Sequence, residues 1–283
     1  MKVPARLQPL VEDGLVDEVI SQLMSGKEAQ VYVVRCGDQI RCAKVYKEAG
    51  KRSFKQAVQY QEGRNVKNSR SARAIGKRSR YGQKESEQAW LNAEVDALRR
   101  LGAAGVHVPR THGFVDGVLL MDMISDVEGL PAPRLNDVTL SAEQAREYHG
   151  RLIRDVVRML CAGLVHGDLS EFNVLLATDG PVIIDLPQAV NAAGNNSAAA
   201  MLLRDVENMA NYFGRFAPEL RTTDYGREIW GLYEKGNLHP DSRLTGRFEG
   251  KLEAANVEEV LRIIEHAREE AQRELERRQA AEE

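Results

Sequence analysis

Three polar residues, set at fixed spacing among apolar strand-forming residues, constrain this chain more than any other feature. Asp168 stands five residues before Asn173, in His166-Gly167-Asp168-Leu169-Ser170-Glu171-Phe172-Asn173, and Asp185 stands twelve residues beyond Asn173, after Val182-Ile183-Ile184. Val174–Ala177 and Val182–Leu186 read as two short strands joined through the tight turn Asp179-Gly180. A hairpin of that length returns the chain beside its start, so Asn173 and Asp185 are expected to share one hard cation. Taken singly, the first motif would be a turn and Asp185 a strand-end cap. The joint spacing weighs against that reading.

The surrounding pattern fixes the context. Residues 19–46 read as strands, with Val31, Val33, Ile40 and Val45 β-branched and Gly37-Asp38 as a turn. Helical periodicity is expected over Glu85–Leu101, where Ala89, Trp90, Ala93, Ala97, Leu98 and Leu101 share a face and Gly102 ends the helix. Strands follow at about Arg110–Val115 and Val118–Met123, split by Asp116-Gly117. A strong helix spans 141–162, with Ser141 and Gln144 as a capping box and Tyr148, Leu152, Ile153, Val156 and Leu160 on one face. The rest reads mainly as helix, from near Ala198 to a charged C-terminal helix at 251–283. Strands first, one helix, two more strands, then a helical half carrying a small hairpin is the order of an α+β bilobal, protein-kinase-like fold. The expected division is 1–122, 123–250 and the terminal helix.

Phosphoryl transfer needs cations on the phosphates and a carboxylate placed to accept the hydroxyl proton. The Asp168–Asn173 spacing is that of H-R-D-x-x-x-x-N catalytic loops. Asp168 is therefore read as base or hydroxyl-positioning group, Asn173 and Asp185 as Mg2+ ligands, and His166 as structural. Lys44, on the strand Arg41-Cys42-Ala43-Lys44-Val45-Tyr46, is placed to meet phosphates. Its expected helix partner is Glu94, at the border of the Trp90–Leu98 face. Alone, Lys44 would be a solvated strand lysine. Ser25, Gly26 and Lys27 stand where a phosphate-covering loop belongs, yet a single glycine fails the G-x-G-x-x-G pattern; donors and positive charge remain.

Composition bears on partners. Three cysteines (Cys36, Cys42, Cys161) are too few for a disulfide framework, which points to a reducing, cytoplasmic setting, and no apolar run reaches membrane-helix length. The net charge of −3 hides an asymmetry: Lys51–Lys84 holds eleven Lys or Arg and one acid, Glu62. This stretch lies in a segment, 47–84, expected to form a long loop, helical in part at Ser53–Tyr60. Its charge suits RNA or a ribosomal particle, and Ser53, Ser69, Ser71 and Ser79 offer hydroxyls for self-phosphorylation; a merely solvated loop is the alternative.

Ser25-Gly26-Lys27-Glu28-Ala29-Gln30-Val31-Tyr32 resembles the S-T-G-K-E-A-x-V-Y signature of the RIO family of atypical serine/threonine protein kinases. Leu164–Leu175 resembles its catalytic loop, and Ile184-Asp185-Leu186-Pro187-Gln188 its metal-binding I-D-x-[SP]-Q. The resemblance spans roughly residues 19–235, and the first motif is nearer the first RIO type. It implies ATP bound under Ser25–Lys27 with Val31, between Lys44 and a hinge at Met121–Ile124 where Asp122 and Ile124 offer backbone groups to adenine. Mg2+ is the implied cation, with Mn2+ as an alternative. The family lacks the usual activation segment, and no A-P-E motif follows Gln188. Three activities are weighed: a protein kinase acting on its own and other hydroxyls, an ATPase switch on RNA–protein particles, and a small-molecule kinase of aminoglycoside type. The S-G-K-E-A motif and basic loop argue against the last. A pseudokinase fits least, since Lys44, Asp168, Asn173 and Asp185 are all present. The protein substrate and oligomeric state are not legible.

Overall fold

The computed structural model of the chain describes residues 3–26, 29–47 and 80–248, the side chains of 80–91 excepted. Expectations for Lys27, for the Ser53–Tyr60 helix, for most of the basic loop, for the Ala89 and Trp90 side chains and for the terminal charged helix lie outside the described residues.

β-Branched residues such as Val31, Val33, Ile40 and Val45 favour three antiparallel strands, β1 (Glu18–Ser25), β2 (Ala29–Cys36) and β3 (Gln39–Tyr46). β2 and β3 pair without a slip from Ala29↔Tyr46 to Cys36↔Gln39, and Gly37 at φ 61° closes the turn. β4 (Thr111–Val115) and β5 (Val118–Asp122) complete a five-stranded sheet in the order β1-β2-β3-β5-β4. Their two-residue turn, Asp116-Gly117, has positive φ at both positions (48° and 76°), as a tight hairpin with native twist requires.

A one-turn helix, α1 (Gln8–Glu12), was not foreseen, because five residues show no periodicity. It matters to the sheet. Leu7 and Leu10 are fully buried with Val16, Val19, Val34, Val118 and Leu120, so α1 seals one face. The other face meets α2 (Arg80–Ala103), whose Val95, Leu98 and Leu101 enter the main core.

Three boundaries are corrected. α2 starts five residues before Glu85, since Arg80-Tyr81-Gly82-Gln83-Lys84 shows no apolar face at helical spacing and Gly82 reads as a loop residue. It also passes through Gly102 to Ala103. The stop comes at Gly105, φ 75°, where the Val106 amide bonds Leu101 O (3.1 Å) and the Gly105 amide bonds Gly102 O (3.1 Å). The third concerns the small hairpin, β7 (Val174–Ala177) with β8 (Gly180–Ile183): β8 was expected to reach Leu186 but ends three residues sooner.

The helical half is built on α3 (Ala142–Cys161), α4 (Ala198–Phe213) and α5 (Tyr225–Glu234). Ser141 and Gln144 form the expected reciprocal capping box. Leu152, Met159 and Leu160 of α3 pack with Leu202, Met209 and Phe213 of α4 in one core. A two-residue ladder of β6 (Leu164–Val165) with β9 (Val190–Asn191) brackets the loop that carries Asp168.

Candidate active site

Lys44 is the centre of the constellation. Strand alternation turns it onto the α2 side of the sheet, where it is 9% exposed. Its Nζ donates to Glu94 Oε1 at 2.6 Å and to Asp185 Oδ1 at 2.9 Å. Glu94, 2% exposed on α2, is held a second time by the Tyr46 hydroxyl at 2.5 Å. Burial alone would drive Lys44 toward neutrality, but the Asp185 and Glu94 carboxylates outweigh it and hold its pKa well above the usual lysine range. In turn, Lys44 holds Asp185 below the usual carboxylate range against its desolvation.

Asp185 leaves the ladder because its backbone is left-handed, φ 65°, a conformation aspartate tolerates better than most residues. The Val174↔Ile183 pairing and the bond from the Ile184 amide to Asn173 O (3.0 Å) place it beside Asn173. Asn173 Nδ2 donates to the Asp168 carbonyl at 2.8 Å, which leaves Oδ1 available as an acceptor. An amide oxygen and a carboxylate side by side, with no thiolate or imidazole between them, fit a hard divalent cation completed by water and phosphate. The donor set therefore suits Mg2+.

The loop around Asp168 is fixed from below by two α4 residues. Asp205, 2% exposed, accepts the amides of Gly167 (2.7 Å) and Leu169 (2.9 Å). Its neighbour Arg204 bonds the Gly167 carbonyl. Burial pushes the Asp205 carboxyl up to about 7, against the pull of those two amides and Arg204. Asp168 is also raised by burial, with Arg204 pulling the other way. His166 is buried, takes the Asp168 amide on Nδ1 (3.3 Å) and donates from Nε2 to the Ile184 carbonyl (3.1 Å). Burial lowers its pKa. Both nitrogens are committed to backbone, so His166 ties the Asp168 loop to the Asp185 turn.

The remaining expected residues line the approach. Val31 is 7% exposed on β2, and Ser25 ends β1. The Gly26 carbonyl accepts from Lys47 Nζ at 2.5 Å, and its amide bonds Ala29 O. At the hinge, Met121 is half-buried. The Asp122 amide bonds Arg110 O (2.9 Å), its carboxylate meets His112 (2.5 Å), and Ile124 O accepts from Ala132 (2.9 Å). Lys44, Glu94 and Asp185 are thus joined directly, Asn173 joins Asp185 through the hairpin, and Met121 and Asp122 end β5, the strand paired with the Lys44 strand.

Five contributors escaped sequence reasoning. Tyr46 lies two residues beyond Lys44 on the same strand face, so the period-2 rule would have found it. Lys47 directly follows that strand, whereas Arg204 and Asp205 come close to the site only in three dimensions. Arg134 reaches across to Met24 Sδ (2.8 Å) on β1, and its charge helps depress Asp185.

Comparisons with known proteins bear on the class. A solved structure described as the Rio2 kinase-ADP/Mg2+-phosphoaspartate complex from Chaetomium thermophilum aligns with a TM-score of 0.53 and 21% identity, over 81% of this chain and 71% of that one. This likeness concerns the fold, which is that of the bilobal protein kinases. A family model described as a RIO domain matches residues 30–225. The RIO-type serine/threonine-protein kinase Rio1 of Haloferax volcanii is 35% identical over 217 residues, covering 75% of this chain and 68% of the relative. Its namesake in Methanocaldococcus jannaschii is 33% identical, over 76% and 69%. The chain belongs to the RIO family of atypical serine/threonine protein kinases.

Proposed function

We propose that this chain transfers the γ-phosphate of ATP to serine or threonine hydroxyls of proteins, its own among them, with Asp168 as the group that positions and deprotonates the acceptor. The observation that carries the reading is the double ion pair of Lys44, joined at once to Glu94 and Asp185. It gathers the phosphate-binding cation and the metal-binding carboxylate at one point. Mg2+ held by Asn173 and Asp185 would neutralise phosphate oxygens as charge moves to the leaving group. Lys44 presents a permanent charge to the same phosphates, Glu94 and Tyr46 fix its direction, and Asp205 with Arg204 holds the loop that aims Asp168.

A second reading is an ATPase switch that acts on RNA–protein particles. Only twelve residues separate Asp185 from Ala198 at the start of α4, which leaves no room for a peptide-docking platform of ordinary size. The Chaetomium structure's description names a phosphoaspartate. RNA or a ribosomal particle is the partner proposed for the basic segment. Its binding would fall roughly 10³-fold from 50 to 200 mM salt if six phosphates were neutralised. All three cysteines are free, in keeping with the cytoplasmic setting proposed for the chain.

The deciding experiment incubates wild type and Asp168→Ala with γ-labelled ATP and Mg2+, then quantifies protein-bound label, its acid stability and free phosphate. Acid-stable label on serine or threonine, lost in the variant, supports the kinase. Free phosphate with only acid-labile label supports the switch. Asp168→Ala is expected to lower turnover ~10²–10⁴-fold with ATP affinity nearly intact; lost affinity with normal turnover would remove it from the proton-accepting role.

A further inference from the structure

Next to the catalytic loop lies an open cleft of about 390 Å3, lined by Glu171, Asn208, Asn211, Tyr212, Arg215 and Arg221. Glu171 is three residues from Asp168 on the same loop, and Asn208 donates to the Leu169 carbonyl at 3.0 Å. The cleft floor and the catalytic loop are therefore one structure. Its chemistry is donor-rich. Arg215 lies over the Tyr212 ring, 5.4 Å from the centroid, and stands 3.5 Å from Glu171, the only acid in the lining. Arg221 has no carboxylate within 4 Å among the described residues, since nearby Glu219 is taken by Arg146 at 2.5 Å.

The placement of Arg221 is built into the backbone. Gly214 caps α4 at φ −66° and ψ −6°, a right-handed conformation open to any residue, so backbone freedom does not call for a glycine there. A Cβ at that position would overlap Arg221 Cγ and stand 2.8 Å from both its Nε and the Ala210 carbonyl oxygen. Gly214 is the gap through which the Arg221 side chain crosses the end of α4 to line the cleft.

Resting on the kinase reading, we propose that this cleft docks an acidic segment of the protein substrate, with Arg221 and Arg215 receiving carboxylate or phosphate groups a few residues from the acceptor hydroxyl. Guanidinium forks favour paired oxygens of either kind. The cleft takes over part of the work of the missing docking platform, and it selects substrates opposite in charge to the chain's own basic segment.

The test uses the full chain and three peptides sharing one acceptor serine, flanked by glutamates, by phosphoserines or by lysines. Wild type is expected to prefer the anionic peptides at least 10-fold in kcat/KM, chiefly through KM; glutamate against phosphoserine identifies the preferred anion. Arg221→Glu should abolish or invert the preference, and Arg221→Lys should retain part of it. Thermal melting checks that each variant is folded. Binding of fluorescein-labelled glutamate peptide, read by anisotropy, separates the two claims. Binding that depends on Arg221 without phosphorylation would sink the kinase reading and keep the cleft. Phosphorylation of all three peptides with equal KM would overturn the cleft and keep the kinase. Arg221-dependent binding of a labelled single-stranded RNA, with no peptide binding, would overturn the acidic-peptide assignment.

Discussion

Glu94 is a buried carboxylate, and its free energy depends on two donors. Lys44 serves one oxygen and Tyr46 the other. Tyr46→Phe keeps the ring but strips one hydrogen bond from a buried charge, which costs on the order of 1.5–3 kcal/mol. Urea unfolding of the variant should show that loss, and no change in midpoint would mean the hydroxyl contributes nothing. Arg134 offers a different check. It is half-buried, touches the Met24 thioether, and its charge helps hold Asp185 below the usual carboxylate range. A thioether is a weak acceptor for a guanidinium. Arg134→Ala is therefore expected to weaken ADP and ATP binding several-fold while sparing adenosine. Equal losses for all three, in calorimetric titrations, would place Arg134 away from the phosphates.

At the scale of elements, α4 is the piece on which the catalytic loop rests. Asp205→Ala leaves two buried amides, those of Gly167 and Leu169, without their acceptor; at about 1–3 kcal/mol each, the expected loss is on the order of 2–6 kcal/mol, accompanied by slower turnover. Denaturation paired with a phosphorylation assay would check both, and an intact rate would show that the loop holds its shape unaided. The same element shows where sequence reading stops. Lys44, Asp168, Asn173 and Asp185 were legible because each belongs to a local pattern: a strand period, a loop spacing, a hairpin. Glu94 was legible because helix periodicity placed it on the edge of an apolar face. Asp205 sits 37 residues beyond Asp168 on a helix whose apolar face offers no reason to suspect a buried acid. Arg204 and Arg134 are in the same position, brought near by tertiary packing alone. Boundaries failed for local reasons as well. The polar first turns of α2 hide its start, and Gly105 rather than Gly102 supplies the left-handed stop. Gly105→Ala should cost about 1–2 kcal/mol for that reason.

For the whole molecule, the packing of the helical half contains a pH-sensitive weakness. His149 of α3 is 2% exposed, lies between the Phe213 and Tyr225 rings (5.7 and 5.8 Å), and its Nε2 has no hydrogen-bond partner among the described residues. Burial lowers its pKa from 6.5 to about 4. The folded protein resists the proton that the unfolded chain accepts, so stability is full above pH 6.5 and declines as pH falls toward 4. The loss approaches on the order of 3 kcal/mol. His149→Phe should flatten that decline in urea midpoints compared at pH 7 and 4.5, and parallel pH profiles would rule His149 out as its source. The double ion pair of Lys44 has a consequence of its own for the molecule's response to salt. Because two carboxylates already surround its single charge, an arriving nucleotide would have to draw Lys44 away from Asp185 rather than meet it as an uncompensated cation. The share of nucleotide capture that Lys44 supplies should then vary less with ionic strength than the share supplied by Arg134, whose described partner is a thioether, and less than the grip of the basic segment on larger polyanions.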